Sequence, residues 1–262
     1  MRDKRRLLFH RILQALIVLS AMGVLYSAFL LISVRREYAE GDNAYRQLRM
    51  MGGAADITQP QGTGQESAGT EKAPPRKKPD FAALEKINPD VAAWLSEDGT
   101  GIDYPVVRGE DNAYYLTHLF TEKKNKLGTI FMDYRNSRDF SDPNTVLYGH
   151  NMKDGSMFYS LTKYKKQSYY NRFPTMRLDT PDGSFQIALF AGVVVDGNYD
   201  SVRLKFSDNR DFESYVASLK GKSTFSSDVS AVPGDRIVTL CTCSYEFDNA
   251  RYALFGKLLP DE

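Results

Sequence analysis

Ile237-Val238-Thr239-Leu240-Cys241-Thr242-Cys243, with Arg251 following, is the stretch whose reading decides the fold, and it holds the only two cysteines of the chain. Its apolar and β-branched residues predict a buried strand, and the polar Ser244-Tyr245-Glu246 marks the exposed end. A thiol at the end of such a strand stands on a rigid support. Upstream, Asn144-Thr145-Val146-Leu147-Tyr148 reads as a second apolar strand that ends in Gly149-His150-Asn151. A cysteine and a histidine brought by two strand ends, with an arginine opening the next strand, are the groups that thiol-based acyl transfer requires.

Working outward, Phe81–Ile87 reads as a short helix stopped by Asn88-Pro89. Trp94-Leu95 and Ile102–Val107 read as strands around the turn Gly99-Thr100-Gly101, and Gly128–Asp133 reads as another. Asp111 is placed to cap a helix through Leu119, and a helix is expected near Met157–Tyr164. Pro181-Asp182-Gly183 is a hairpin signal before the almost wholly apolar strand Phe185–Val195. Phe212, Tyr215, Val216 and Leu219 fall at helical spacing. They predict an amphipathic helix over 208–220, capped by Ser207 or Asp208 and ended by Gly221. Asp235–Ser244 and Tyr252–Leu259 are the last two strands. Many short strands with few helices predict a closed or nearly closed β-barrel decorated by helices.

The formal net charge of +1 gives no global argument for nucleic acid. The basic residues cluster at the start, at Arg2, Lys4, Arg5, Arg6 and Arg11, before the uncharged run Ile12–Val34. As a helix that run spans about 35 Å, enough to cross a bilayer with some tilt. The positive flank places the N-terminus in the cytoplasm and the remainder outside. A cleaved signal peptide is the alternative, but the run is longer than a usual signal core and no clear cleavage site follows it. Glu37–Met50 is charged and able to extend the helix. Met51–Pro79 is rich in Gly, Pro and polar residues and reads as a disordered stalk, with Arg76-Lys77-Lys78 as a solvated basic cluster. The cysteines sit at i and i+2 of one strand, with Cβ atoms ~7 Å apart on one face. A disulfide needs them near 4 Å, so two free thiols are expected.

Cys243 is the candidate nucleophile, because polar sequence follows it. Cys241 lies deeper in the strand, and either cysteine read alone also suits a small core residue. His150 is the candidate base and acid. His10 lies in the basic flank, and His118 falls in a helical pattern that suits a surface or packing role. Arg251 is the candidate oxyanion group, its alternative being a surface ion pair with Glu246 or Asp248. A zinc site on Cys241 and Cys243 lacks the remaining ligands, and phosphate-binding glycine loops are absent.

These residues resemble those of a sortase. Thr239-Leu240-Cys241-Thr242-Cys243 is similar to the family's TLxTC strand end, Leu147–Asn151 to the segment with the catalytic histidine, and Arg251 to the catalytic arginine. Asn88-Pro89-Asp90 with Trp94-Leu95, Ile102–Val107 and Asp111–Leu116 also fit. The helix at 208–220 and the helix near Phe81 resemble class B. Cys241 departs from the pattern, which commonly has Ser there.

The resemblance implies an eight-stranded sortase-type barrel, mainly β with added helices, over 81–262. An extracellular stalk would span 37–80, and a basic flank and transmembrane helix 1–36. It implies a transpeptidase that cleaves an Asn-Pro-x-Thr-like motif after the threonine through a thioacyl on Cys243, with His150 and Arg251 assisting. Asn112, Leu116, Tyr148 and Thr242 would lie along the substrate groove. Implied partners are secreted proteins carrying the motif, a cell-wall peptide amine and the membrane through 12–34, with no metal, cofactor or nucleic acid. A cysteine protease that passes the acyl group to water and a non-catalytic, membrane-tethered wall-binding barrel stay open beside it.

Overall fold

The computed structural model describes residues 2–51, 77–197 and 202–261. The chain divides into two compact units, 1–43 and 44–262. The first is the greater part of helix α1 (Arg2–Met51), which continues through the charged segment after Val34. A stretch of mean hydropathy 2.3 makes this helix long and apolar enough to cross a bilayer. Its serines are compatible with that setting, because Ser27 and Ser33 donate their hydroxyls to Gly23 O and Phe29 O within the helix, both at 2.9 Å. Residues 52–76 of the expected stalk lie outside the described residues.

The second unit is a closed eight-stranded barrel. In chain order the strands are β1 (Val91–Glu97), β2 (Ile102–Val107), β3 (Ile130–Met132), β4 (Asn144–Tyr148), β5 (Thr175–Asp179), β6 (Ser184–Asp196), β7 (Ile237–Cys243) and β8 (Ala250–Pro260). Around the barrel they run β1-β2-β3-β4-β7-β8-β6-β5, and pairing of β1 with β5 closes the ring. Only β2–β3 and β4–β7 are parallel. Closure removes the sheet edges that would otherwise expose unpaired backbone. Trp94 fills the interior with no exposure, its indole N–H donating to Asp103 Oδ1 at 2.6 Å.

Helix α2 (Phe81–Ile87) precedes β1 and is capped by Asp80, which accepts from the Ala83 N–H. Helix α4 (Asn209–Lys222) follows β6. Its buried residues Phe212, Tyr215, Val216 and Leu219 pack on Phe190, Ile237 and Phe255 of the barrel wall. That face stabilises the docked helix by about 1.5–3 kcal/mol per large apolar side chain. Asp208 caps α4, while Gly221 lies inside it and Ser223 stands at its end, two residues later than expected.

Two other elements differ from expectation. The segment after Asp111 is not a helix through Leu119 but one 3₁₀ turn, Tyr114–Leu116. Asp111 does accept the Ala113 and Tyr114 N–H groups, both at 2.8 Å. Beyond the turn, however, Thr129 N and Asn125 N bond the carbonyls of Tyr115 and Thr117, so no helical ladder propagates. The helix expected near Met157–Tyr164 is a 3₁₀ run, Tyr159–Lys165, followed by the short helix α3 (Gln167–Arg172).

The end of α1 belongs to the barrel unit. Tyr45 and Leu48 are buried. The Tyr45 hydroxyl donates to Gly128 O and lies 3.1 Å from Thr129 Oγ1, and its ring meets Tyr104 edge-on at 5.2 Å. Gly128 is required there: its φ is +61°, and a Cβ would come within 2.6 Å of Tyr115 O.

Candidate active site

Strand register assembles the site. In the parallel pair β4–β7, Leu147 lies beside Leu240 and Tyr148 beside Cys241. Two residues further along both strands are His150 and Cys243. In the antiparallel pair β7–β8, Cys243 lies directly opposite Arg251. Directly opposite residues share a face, so Cys243 and Arg251 emerge together, and His150, two residues beyond the end of β4, lines the same cleft. Beyond the last regular pair the two strand ends are still stitched together. Gly149 N–H donates to Cys241 O (3.2 Å), Thr242 Oγ1 to Gly149 O (2.7 Å), and Asn151 Nδ2 to Cys243 O (2.9 Å). Gly149 admits no side chain, because a Cβ would come within 2.7 Å of the Phe158 ring.

These groups open on a cleft of ≈ 430 Å³ that is lined by all seven residues singled out in the sequence: Asn112, Leu116, Tyr148, His150, Thr242, Cys243 and Arg251. His150 is half-buried and its Nε2 lies 2.7 Å from Leu116 O. A carbonyl oxygen only accepts, so Nε2 carries the hydrogen, and Nδ1 is the ring atom that can exchange a proton with a reacting group. Arg251 directs one of its N–H groups to Ala250 O at 3.1 Å. Thr242 is buried and uses its hydroxyl on Gly149 rather than on the cleft. His118 stands apart, stacked on the Tyr114 ring at 4.0 Å.

The two thiols are unequal. Both line the cleft, but Cys243 is half-buried whereas Cys241 is 5% exposed. Burial, opposed by the Arg251 charge, pushes the Cys241 thiol up to about 12. At pH 8 its thiolate fraction is then about 10⁻⁴. Iodoacetamide at that pH is expected to label Cys243 alone in the folded protein and both cysteines after denaturation. Peptide mapping checks this, and prompt labelling of Cys241 under native conditions would contradict it.

One residue that the sequence did not single out organises the cleft wall. Asp133, fully buried, accepts from Asn112 Nδ2 (3.0 Å) and from the Tyr148 hydroxyl (3.2 Å). Arg135 Nε and Nη2 clamp it at 2.9 Å each. Burial alone would raise the Asp133 carboxyl, but the hydrogen bonds from Arg135 and Asn112 outweigh it and hold it below the usual carboxylate range. Burial, reinforced by the Asp133 charge, raises the Tyr148 phenol, which stays protonated and donates. Asn112 is fixed at both ends, its Oδ1 accepting from Tyr134 N at 3.0 Å. Among the described residues no three His, Cys, Asp or Glu side chains converge to hold a metal ion.

No family model matches the chain. A sortase B of Listeria monocytogenes is 38% identical over 178 residues, which cover 67% of this chain and 72% of that protein. A sortase B of Staphylococcus aureus is 35% identical over 184 residues, 70% of this chain and 75% of that one. Among solved structures, sortase B from B. anthracis in complex with AAEK1 superposes with a TM-score of 0.72 at 28% identity. It covers 87% of this chain and 100% of its own. The S. aureus sortase B–substrate complex gives a TM-score of 0.66 at 34% identity, covering 70% and 85%. Barrel and relatives together define the class as a cysteine transpeptidase on a closed eight-stranded barrel. The chain belongs to the sortase B family.

Proposed function

We propose that this chain anchors secreted proteins to the cell wall from the outer face of the membrane. Residues 1–36 would be a cytoplasmic basic flank and membrane span, 37–80 the connection, and 81–262 the catalytic barrel, with Ala44–Met51 lying in the same compact unit as the barrel. The donor would be a secreted protein with an Asn-Pro-x-Thr-like motif near its C-terminus, and the acceptor a cell-wall peptide amine. Two solved sortase B structures support that pairing of ligands, one a complex with substrate and the other a complex with triglycine.

The cleft that His150, Cys243 and Arg251 line together, with the last two directly opposite each other, carries the reading. The Cys243 thiolate attacks the carbonyl carbon of the motif's threonine. The C–N bond breaks, the nitrogen takes a proton from the His150 imidazolium, and a thioester remains on Cys243. The carbonyl oxygen carries negative charge in between. The Ser244 N–H already donates to Ala250 O at 2.9 Å, so Arg251 is the donor placed to receive that charge. Asn112, Leu116 and Tyr148 line the groove for the motif, the first and last held by Asp133. Thr242 acts through Gly149, fixing the peptide that carries His150.

The test is a mass spectrum of the full chain in detergent after incubation with a pool of Asn-Pro-x-Thr and related peptides. The expected result is an adduct on Cys243 that ends at the motif's threonine. With a thiol-reactive, folded protein and every peptide of the pool, absence of any adduct would favour the non-catalytic binding barrel instead.

A further inference from the structure

His150 is held by one hydrogen bond from its ring and one to its backbone, and both lead back to a single buried side chain at the end of α1. The ring bond comes first. Nε2–H donates to Leu116 O at 2.7 Å, and Leu116 closes the 3₁₀ turn Tyr114–Leu116 at the cleft. Gly128 packs directly against that turn: a Cβ at 128 would stand 2.9 Å from Leu116 O and 2.6 Å from Tyr115 O. The Thr129 N–H ties the same turn, donating to Tyr115 O at 2.9 Å. The hydroxyl of Tyr45 reaches both residues of this clamp, donating to Gly128 O and lying 3.1 Å from Thr129 Oγ1.

The backbone bond follows a second route. The Phe158 N–H donates to His150 O at 2.9 Å, and Asn151 pairs with Met157 in an isolated antiparallel bridge. Met157 N–H donates in turn to the Tyr104 hydroxyl at 3.0 Å. Met157 sits at a φ of +55°, a strained setting for its side chain that persists because such neighbours fix it. The Tyr104 ring is met edge-on by the Tyr45 ring at 5.2 Å, with the Arg49 guanidinium over it at 5.7 Å. Tyr45 itself is 2% exposed. Burial raises its phenol above the ordinary value, so it keeps the proton that it donates.

Resting on the catalytic role proposed above for His150, we infer that Tyr45 is a positioning residue for that histidine. Its hydroxyl holds the clamp behind the acceptor of the ring N–H, and its ring backs the tyrosine that supports the histidine's backbone. A carbonyl on Nε2 keeps the hydrogen there and leaves Nδ1 to exchange a proton with the reacting groups. When that carbonyl shifts, the ring can turn and carry its hydrogen on either nitrogen. Proton delivery then loses its aim, although the histidine and the thiol are both still present. Tyr45 touches neither substrate nor thiol in this account, and it acts only through Leu116 and Tyr104.

The test is Tyr45→Phe in the full chain in detergent, which removes the hydroxyl and keeps the ring. Below the melting transition of each protein, the rate of thioacyl formation is expected to fall about tenfold with the donor KM unchanged. Nitrogen NMR of the neutral His150 ring is the independent readout, with His150→Gln assigning the signal. It should show hydrogen on Nε2 in the parent and a mixture of both tautomers in Tyr45→Phe. Tyr104→Phe takes the acceptor from the Met157 N–H, and it should lower the rate without changing the tautomer. A Tyr45→Phe rate within about twofold of the parent, or an unchanged tautomer, would overturn the inference and leave Tyr45 as a packing residue. A Tyr104→Phe rate equal to the parent's would overturn its backbone half. Absence of the Cys243 adduct in the parent would overturn the transpeptidase reading, while the tautomer comparison would still decide the positioning.

Discussion

Cys243→Ala is expected to lower thioacyl formation and peptide cleavage by at least about 10⁴-fold, because the atom that bonds to substrate is gone. The informative control is Cys241→Ser, which should keep most of the activity. The two thiols face the same side of β7, and in the sequence only the polar residues that follow Cys243 favour it over Cys241. Depth separates them. Cys241 lies opposite Ala253, below the level of the arginine, is almost fully buried, and holds its proton up to about pH 12. Cys243, which lines the same cleft, lies opposite Arg251 and is the more exposed of the two. Serine at 241 would bury a hydroxyl, at a stability cost of about 1–3 kcal/mol if it finds no partner. Cleavage is therefore measured below the melting transition of each variant. An inactive, folded Cys241→Ser beside an active Cys243→Ala would reverse the assignment.

The strands were legible because their signals are local. Ile237–Cys243 and Ser184–Asp196 combine apolar, β-branched residues with polar ends, and both are strands in the structure. The apolar stripe of α4 was legible for the same reason, since four residues at helical spacing have to be covered. The cleft shared by His150, Cys243 and Arg251 required one further step, the neighbourhood of β4, β7 and β8. Strand ends that carry a histidine and a cysteine suggested that neighbourhood, but the register itself is a tertiary fact. Strand β5, Thr175-Met176-Arg177-Leu178-Asp179, passed unread although its alternation is visible.

Two features were not legible, for physical reasons. Asp133 looks like any acid at a strand end. Its importance comes from partners at 112 and 148, brought to it by the fold of the barrel. Tyr45 and Leu48 sit in a segment dominated by charge, and only their spacing of three residues hints at a buried face. Likewise, the helix expected after Asp111 had a sound start signal. It failed because the carbonyls of Tyr115 and Thr117 found strand-like partners from further along the chain. Local propensity proposes an element, and competing long-range hydrogen bonds decide whether it propagates.

Arg251→Lys is the second large effect expected, a fall of about 10²–10³ in the rate of thioacyl formation with little change in donor KM. The substitution keeps the charge and most of the length, so it separates two roles. A guanidinium presents five N–H donors in a fixed fork, and Arg251 uses one of them on the Ala250 carbonyl. That bond occupies one donor and leaves the others for the carbonyl oxygen that becomes negative beside Cys243, the residue opposite on the paired strand. A lysine ammonium, flexible and strongly hydrated, can bond Ala250 O or the oxyanion, but it cannot hold the first while aiming at the second. Stabilisation that exists only in the transition state is lost, and the loss appears in the rate rather than in substrate binding. Single-turnover kinetics with a chromogenic donor peptide measures it. A lysine variant within threefold of the parent would make Arg251 a general source of positive charge. The oxyanion would then need the Ser244 N–H, which in turn would require the β7–β8 loop to release its bond to Ala250 when substrate binds.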